Sequence, residues 1–185
     1  MDKAIKNKLV GVYWLPWAWK SIFAMFLSTF YERIISNLDV TYNWKSIIQK
    51  RICTMEDLHG IEFSTTKGLA ILDEWGINIT SRRSMSSANL DFLELWMLSR
   101  KKNMDIIVIS QLERSLDVVI RELCTYSFHV NSYFIKKDYL IFEIEIYNRF
   151  WKLIKSVKAD LIKFIEKYNF NYNTKEDSKI NRTFI

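Results

Sequence analysis

A chain of 185 residues and 22.2 kDa is long enough for one domain with a substantial core and short for two. Hydrophobic residues at 49% and charged residues at 26% exclude a wholly disordered chain, one Pro and four Gly exclude collagen-like or linker-dominated designs, and two cysteines exclude a disulfide framework. The net charge of +6, concentrated in the two ends around a slightly acidic middle, is compatible with a polyanionic partner.

The opening Met1–Lys8 is charged and leads into an apolar run, as a secretory signal would, but Lys20 interrupts the run and no small-residue cleavage site follows. The stretch from Val10 to Phe30 has the length of a membrane span, yet Lys20 sits at its centre and Pro16 breaks its first half, which argues against a crossing. Residues 8–13 read instead as a strand, followed by a Pro-containing turn and a helix from Ser21 to about Arg33. Ile34–Asn37 reads as a second strand. Leu69–Asp73 and Asp105–Ser110 are uninterrupted apolar runs, the pattern of parallel strands covered on both faces. Helices are expected between and after them, over 89–100 and 116–123. The alternation points to an α/β doubly wound, mainly parallel sheet.

The end of the chain changes character. Residues 127–135 and 139–147 read as a hairpin joined by Lys136-Lys137-Asp138. Residues 151–168 read as an amphipathic helix, with Leu153, Ile154, Val157, Leu161, Ile162 and Ile165 on one side and Lys152, Lys155, Lys158, Lys163 and Lys167 on the other. Such a basic face suits nucleic acid or an anionic membrane, although a solvated face is the commoner use. No linker or repeat divides the chain, so residues 1–168 are expected to form a single domain and 169–185 a polar tail.

Three constellations carry chemistry. Asp73 and Glu74 close a buried strand, at the sheet edge where open α/β folds gather ligands. One acid there can hold Mg²⁺ and its neighbour can polarise a water; two solvated acids are the plainer alternative. Ser110-Gln111 ends the next strand, and a neutral amide can orient water or sense a phosphate. After the first strand comes Trp14-Leu15-Pro16-Trp17-Ala18-Trp19-Lys20-Ser21. A phosphate-binding loop reads G-x-x-x-x-G-K-[ST], so Lys20-Ser21 stand where that loop needs them, but tryptophan occupies both required glycine positions. Glycine at 14, 17 and 19 would spell Gly-Leu-Pro-Gly-Ala-Gly-Lys-Ser.

Taken together, Lys20-Ser21, Ile35-Ser36-Asn37, Leu72-Asp73-Glu74, Ser99-Arg100-Lys101 and Ser110-Gln111 resemble the P-loop ATPases of the zonula occludens toxin and filamentous-phage assembly type, and the related viral DNA-packaging ATPases of the FtsK/HerA group. Val119–Leu123 and Tyr172–Glu176 look like further landmarks, so the resemblance spans nearly the whole chain. It implies an ATP-hydrolysing, ring-forming motor that moves DNA in packaging, translocation or virion extrusion, in the cytoplasm of a host cell or with virion or assembly proteins. Lys20 would contact the β- and γ-phosphates of ATP, Ser21 and Asp73 would hold Mg²⁺, Glu74 would activate water and Gln111 would sense the γ-phosphate. Arg100, or else Arg82 or Arg83, would reach a neighbouring subunit's site as an arginine finger, or face solvent.

The departure lies in the loop. Glycines serve there because the backbone must adopt positive φ and approach the phosphates closely, and an indole would fill that space. As written, the sequence predicts poor nucleotide binding. Either the chain is a non-catalytic relative, retaining the fold as a nucleic-acid-binding or virion-assembly subunit, or glycine codons have become tryptophan codons, which can differ by one base. Trp44, between Asn43 and Lys45, also stands where a turn would favour glycine. A membrane-associated assembly factor is a third reading, without a clear span to support it. His59 and His129 lack the spacing of a zinc site, and Cys53 and Cys124 lack a neighbouring base.

Overall fold

Strands buried on both faces need apolar side chains on both, and the Ile/Val/Leu runs supply them. The computed structural model describes residues 8–13, 20–37, 39–42, 45, 46, 50, 51, 57, 60–62, 65–73, 87–111, 116–136, 139–160 and 170–173. In chain order the strands are β1 (Leu9–Tyr13), β2 (Arg33–Ser36), β3 (Asp39–Tyr42), β4 (Lys45–Ser46), β5 (Lys50–Arg51), β6 (Gly68–Asp73), β7 (Met104–Ser110), β8 (Tyr126–Lys136), β9 (Tyr139–Asn148), β10 (Leu153–Asp160) and β11 (Phe170–Asn173). The helices are α1 (Lys20–Ser28), α2 (Ser87–Ser99) and α3 (Val118–Leu123).

One eight-stranded sheet, in the order β10-β9-β8-β1-β7-β6-β2-β5, organises the molecule. The strands from β8 to β5 run parallel, and β9 and β10 extend the sheet antiparallel beyond β8. The expected α/β class with a mainly parallel sheet and a late hairpin is what the chain adopts. A small second sheet, β11-β3-β4, is antiparallel throughout.

Alternation along the strands divides the core in two. Leu9, Ala70, Leu72, Ile106 and Val108 face Phe92 and Leu95 of α2 and Ile120 of α3, and all are at most 2% exposed. Fully burying one such side chain stabilises the fold by roughly 1.5–3 kcal/mol. On the opposite face α1 packs over β6 and β7, and its buried Phe23 meets Phe128 of β8 edge-on at 5.6 Å. Helix α3 starts where it does because Asp117 caps it, one carboxylate oxygen accepting the Val119 N–H at 2.9 Å. The other oxygen accepts from the Asn89 side chain at 3.2 Å, which joins the first turn of α2 to the start of α3.

Two expectations need correction. Residues 153–160, expected within an amphipathic helix, are the edge strand β10, paired antiparallel with β9. The spacing of Leu153, Ile154 and Val157 mimics a helical stripe because a register shift between Leu153 and Lys155 breaks the two-residue alternation. Lys152, Lys155 and Lys158 therefore do not form a helical face, and Lys158 approaches Glu143 of β9 at 3.6 Å; residues 161–169 lie outside the described residues. Phe170–Asn173, expected within a polar tail, pairs with Asp39–Tyr42. Among the described residues no helix is long and apolar enough to cross a membrane.

Candidate functional site

The parallel register brings three strand ends to one edge. Val12 of β1 is level with Ile109 of β7, and Ile109 is level with Asp73 of β6. One step further along, Tyr13 is level with Ser110. The order β1-β7-β6 therefore places the end of the first strand, the Ser110-Gln111 corner and Asp73 side by side, across about 10 Å of sheet at ~4.8 Å per strand.

The face matters as much as the edge. Residues level with one another on neighbouring strands project to the same side. Phe128, which touches α1, is level with Val12, and Val12 lies in the row of Asp73. The Asp73 carboxylate, 7% exposed, thus emerges on the side covered by α1. Six residues, 14–19, separate the end of β1 from the start of α1. Lys20 and Ser21 open the first turn of α1, the end of a helix where the dipole favours an anion.

Asp73 is held by a neighbour that the sequence marks only as a landmark. The Asn37 side-chain N–H donates to the Asp73 carbonyl at 2.8 Å, and the Asp73 N–H donates to the Asn37 Oδ1 at 2.8 Å. Asn37 follows the last residue of β2, so its carboxamide continues the β2–β6 ladder by one rung. A polar residue directly after a buried strand was the available signal; the pairing partner was not.

Tyr13 ends β1 with its ring turned back along the strand. A Cβ at Gly11 would collide with the Tyr13 ring, so glycine there makes room for it. The ring packs edge-on against His129 of β8 at 5.4 Å.

Gln111 is exposed at the same edge as Asp73. Arg100 is not: it is exposed in the turn before β7, at the opposite, amino edge of the sheet. Any role for it at a nucleotide must be toward the site of another subunit. Glu74, Arg82, Arg83 and the loop residues Trp14, Trp17 and Trp19 lie outside the described residues, as do the side chains of Lys20 and Ser21.

The amino edge is tied together by a different device. Asp105, 2% exposed, accepts from the Lys8 N–H at 2.7 Å and from the Tyr31 hydroxyl at 2.6 Å, and pairs with Lys67 Nζ at 2.8 Å. Burial, then the bond to Asp105 and its charge, hold the Tyr31 phenol well above its ordinary range.

No protein-family model matches the chain, and no curated protein matches it. Solved structures do. The N-terminal domain of zonular occludens toxin from Neisseria meningitidis superposes with a TM-score of 0.54 at 14% identity, covering 91% of this chain and 94% of that one. The genome packaging NTPase B204 of Sulfolobus turreted icosahedral virus 2, in complex with ATP-gammaS, gives 0.51 at 11% identity, covering 80% and 96%. The flagellar accessory protein FlaH of Methanocaldococcus jannaschii gives 0.56 at 12% identity, covering 91% and 90%. These identities establish the fold alone, a P-loop NTPase-like α/β fold.

Proposed function

We propose that the chain is the ATPase-like subunit of a viral or mobile-element motor that packages, translocates or extrudes DNA, acting as a homo-oligomeric ring in the host-cell cytoplasm. The observation that carries this reading is the row Val12–Ile109–Asp73, with Asp73 on the α1 side and Lys20-Ser21 opening α1. A helix N-terminus, a buried carboxylate and an exposed amide at one edge are the parts that phosphoryl transfer needs. The similarity to a genome packaging NTPase solved with ATP-gammaS supports the same reading.

Asp73 fits Mg²⁺, being a hard oxygen donor beside the expected phosphate position. In the proposed site Lys20 would neutralise the β- and γ-phosphates, Ser21 and Asp73 would hold the metal, Glu74 would accept a proton from the attacking water, and Gln111 would contact the γ-phosphate. Bound ATP supplies the transferable phosphoryl group. The loop as spelled does not fit, because Trp14 and Trp19 stand where backbone must approach phosphate. That mismatch favours a second reading, a non-catalytic nucleic-acid-binding or virion-assembly subunit that keeps the fold.

The test compares ATP hydrolysis by the chain as written, by a Trp14→Gly/Trp17→Gly/Trp19→Gly variant, and by that variant carrying Glu74→Gln. The motor reading expects turnover only in the triple variant. A triple variant that folds yet neither binds nor hydrolyses ATP would overturn it.

A further inference from the structure

The turn between β9 and β10 places a tryptophan where the backbone calls for glycine. Trp151 has φ of +59°, the left-handed region that a bulky side chain seldom occupies. The geometry is fixed by the turn. The Trp151 N–H donates to the Asn148 carbonyl at 2.9 Å, and the Asn148 N–H donates to the Lys152 carbonyl at 3.0 Å. Asn148 Oδ1 accepts from the N–H groups of Phe150 and Lys152 at 2.9 and 3.0 Å. The other described non-glycine residue at positive φ is Asn103, a type that tolerates this region. Nor does the indole have a buried seat: it is 40% exposed, with ring centres 6.0 Å from His129 and 6.4 Å from Tyr147.

This position joins a pattern in the sequence. Trp14, Trp17 and Trp19 stand where a phosphate loop has glycine. The chain has seven Trp and four Gly, whereas usual glycine content of about 7% would give roughly a dozen. Loss of function explains substitutions in the loop but not a left-handed tryptophan in the β9–β10 turn, whose backbone lies beside Tyr126 at the amino edge of the sheet, even though the indole stands near His129, against which Tyr13 packs. We propose that the chain made in its native cell carries glycine at 14, 17, 19 and 151, through a codon that is read there as glycine and here as tryptophan. For 14, 17 and 19 the inference rests on the ATPase reading; for Trp151 it rests on backbone geometry alone.

Peptide mass spectrometry of the protein from its native source tests this directly. The tryptic peptide 9–20 and the peptide 146–160 released by cleavage after acidic residues cover all four positions. The expected masses are lower by an indolylmethyl group less a hydrogen at each position. Tryptophan masses at these positions overturn the proposal. A second arm uses recombinant protein: Trp151→Gly is expected to raise the thermal midpoint, and a lowered midpoint means the indole holds the turn and overturns the proposal there. Fluorescent ATP with Mg²⁺, titrated into the Trp14→Gly/Trp17→Gly/Trp19→Gly variant, separates the two readings. Glycine masses without nucleotide binding sustain the recoding and sink the motor.

Discussion

The carboxamide of Asn37 bonds both backbone polar groups of Asp73 at 2.8 Å, so a side chain completes the sheet where the β2 backbone ends. Asn37→Ala removes both bonds and should cost about 1–3 kcal/mol, measured by urea denaturation. If the pairing also positions the Asp73-Glu74 corner, turnover in the glycine-restored chain should fall while nucleotide affinity holds. Unchanged turnover would reduce Asn37 to a structural tie.

The two acids should separate by phenotype. In the glycine-restored background, Asp73→Ala should raise the Mg²⁺ concentration needed for half-maximal turnover. Glu74→Gln should leave nucleotide binding intact and lower turnover by roughly 10²–10⁴-fold, the usual contribution of a general base. Equal effects of both changes on binding would contradict the assigned roles.

Asp105 and Tyr31 make alkaline stability a readout of the amino edge. The folded state raises the Tyr31 pKa, so above about pH 10, the ordinary phenol value, the unfolded chain releases a proton that the folded chain keeps. The contribution is complete below that pH and is lost as pH rises beyond it. Tyr31→Phe should therefore show a shallower alkaline loss of stability than the parent. Asp105→Ala, which strands three partners, should cost roughly 3 kcal/mol at neutral pH.

Arg100 offers a test of assembly. Because it lies at the edge away from Asp73, Arg100→Ala should leave nucleotide binding unchanged and depress turnover only where subunits associate. An arginine finger is worth about 10³–10⁵ in turnover. Activity measured across protein concentration, alone and mixed with a Glu74→Gln partner, would show whether the arginine acts between subunits.

The central sheet was legible because β1, β6 and β7 are uninterrupted apolar runs, which few other settings accommodate. The edge was not. In β10 the exposed Leu153 and Ile154 lack the burial that makes periodicity informative, and the register shift there imitates a helical spacing. Strands β3, β4, β5 and β11 are two to four residues long, and β3 finds β11 far away in sequence, so local pattern carried no trace of them. At the candidate site, Asp73 and Gln111 were legible as polar residues closing buried strands. The hold of Asn37 on Asp73 was not, because it depends on which strands lie side by side.

That arrangement also governs how the protein is born. Strand β1 pairs only with β7 and β8 in the eight-stranded sheet, so Leu9–Tyr13 leaves the ribosome long before Met104–Ser110 exists to receive it. At a synthesis rate of about 5–20 residues per second, this apolar first strand waits on the order of five to twenty seconds without a partner. A nascent chain with so long an unmet edge is a natural client for holding chaperones.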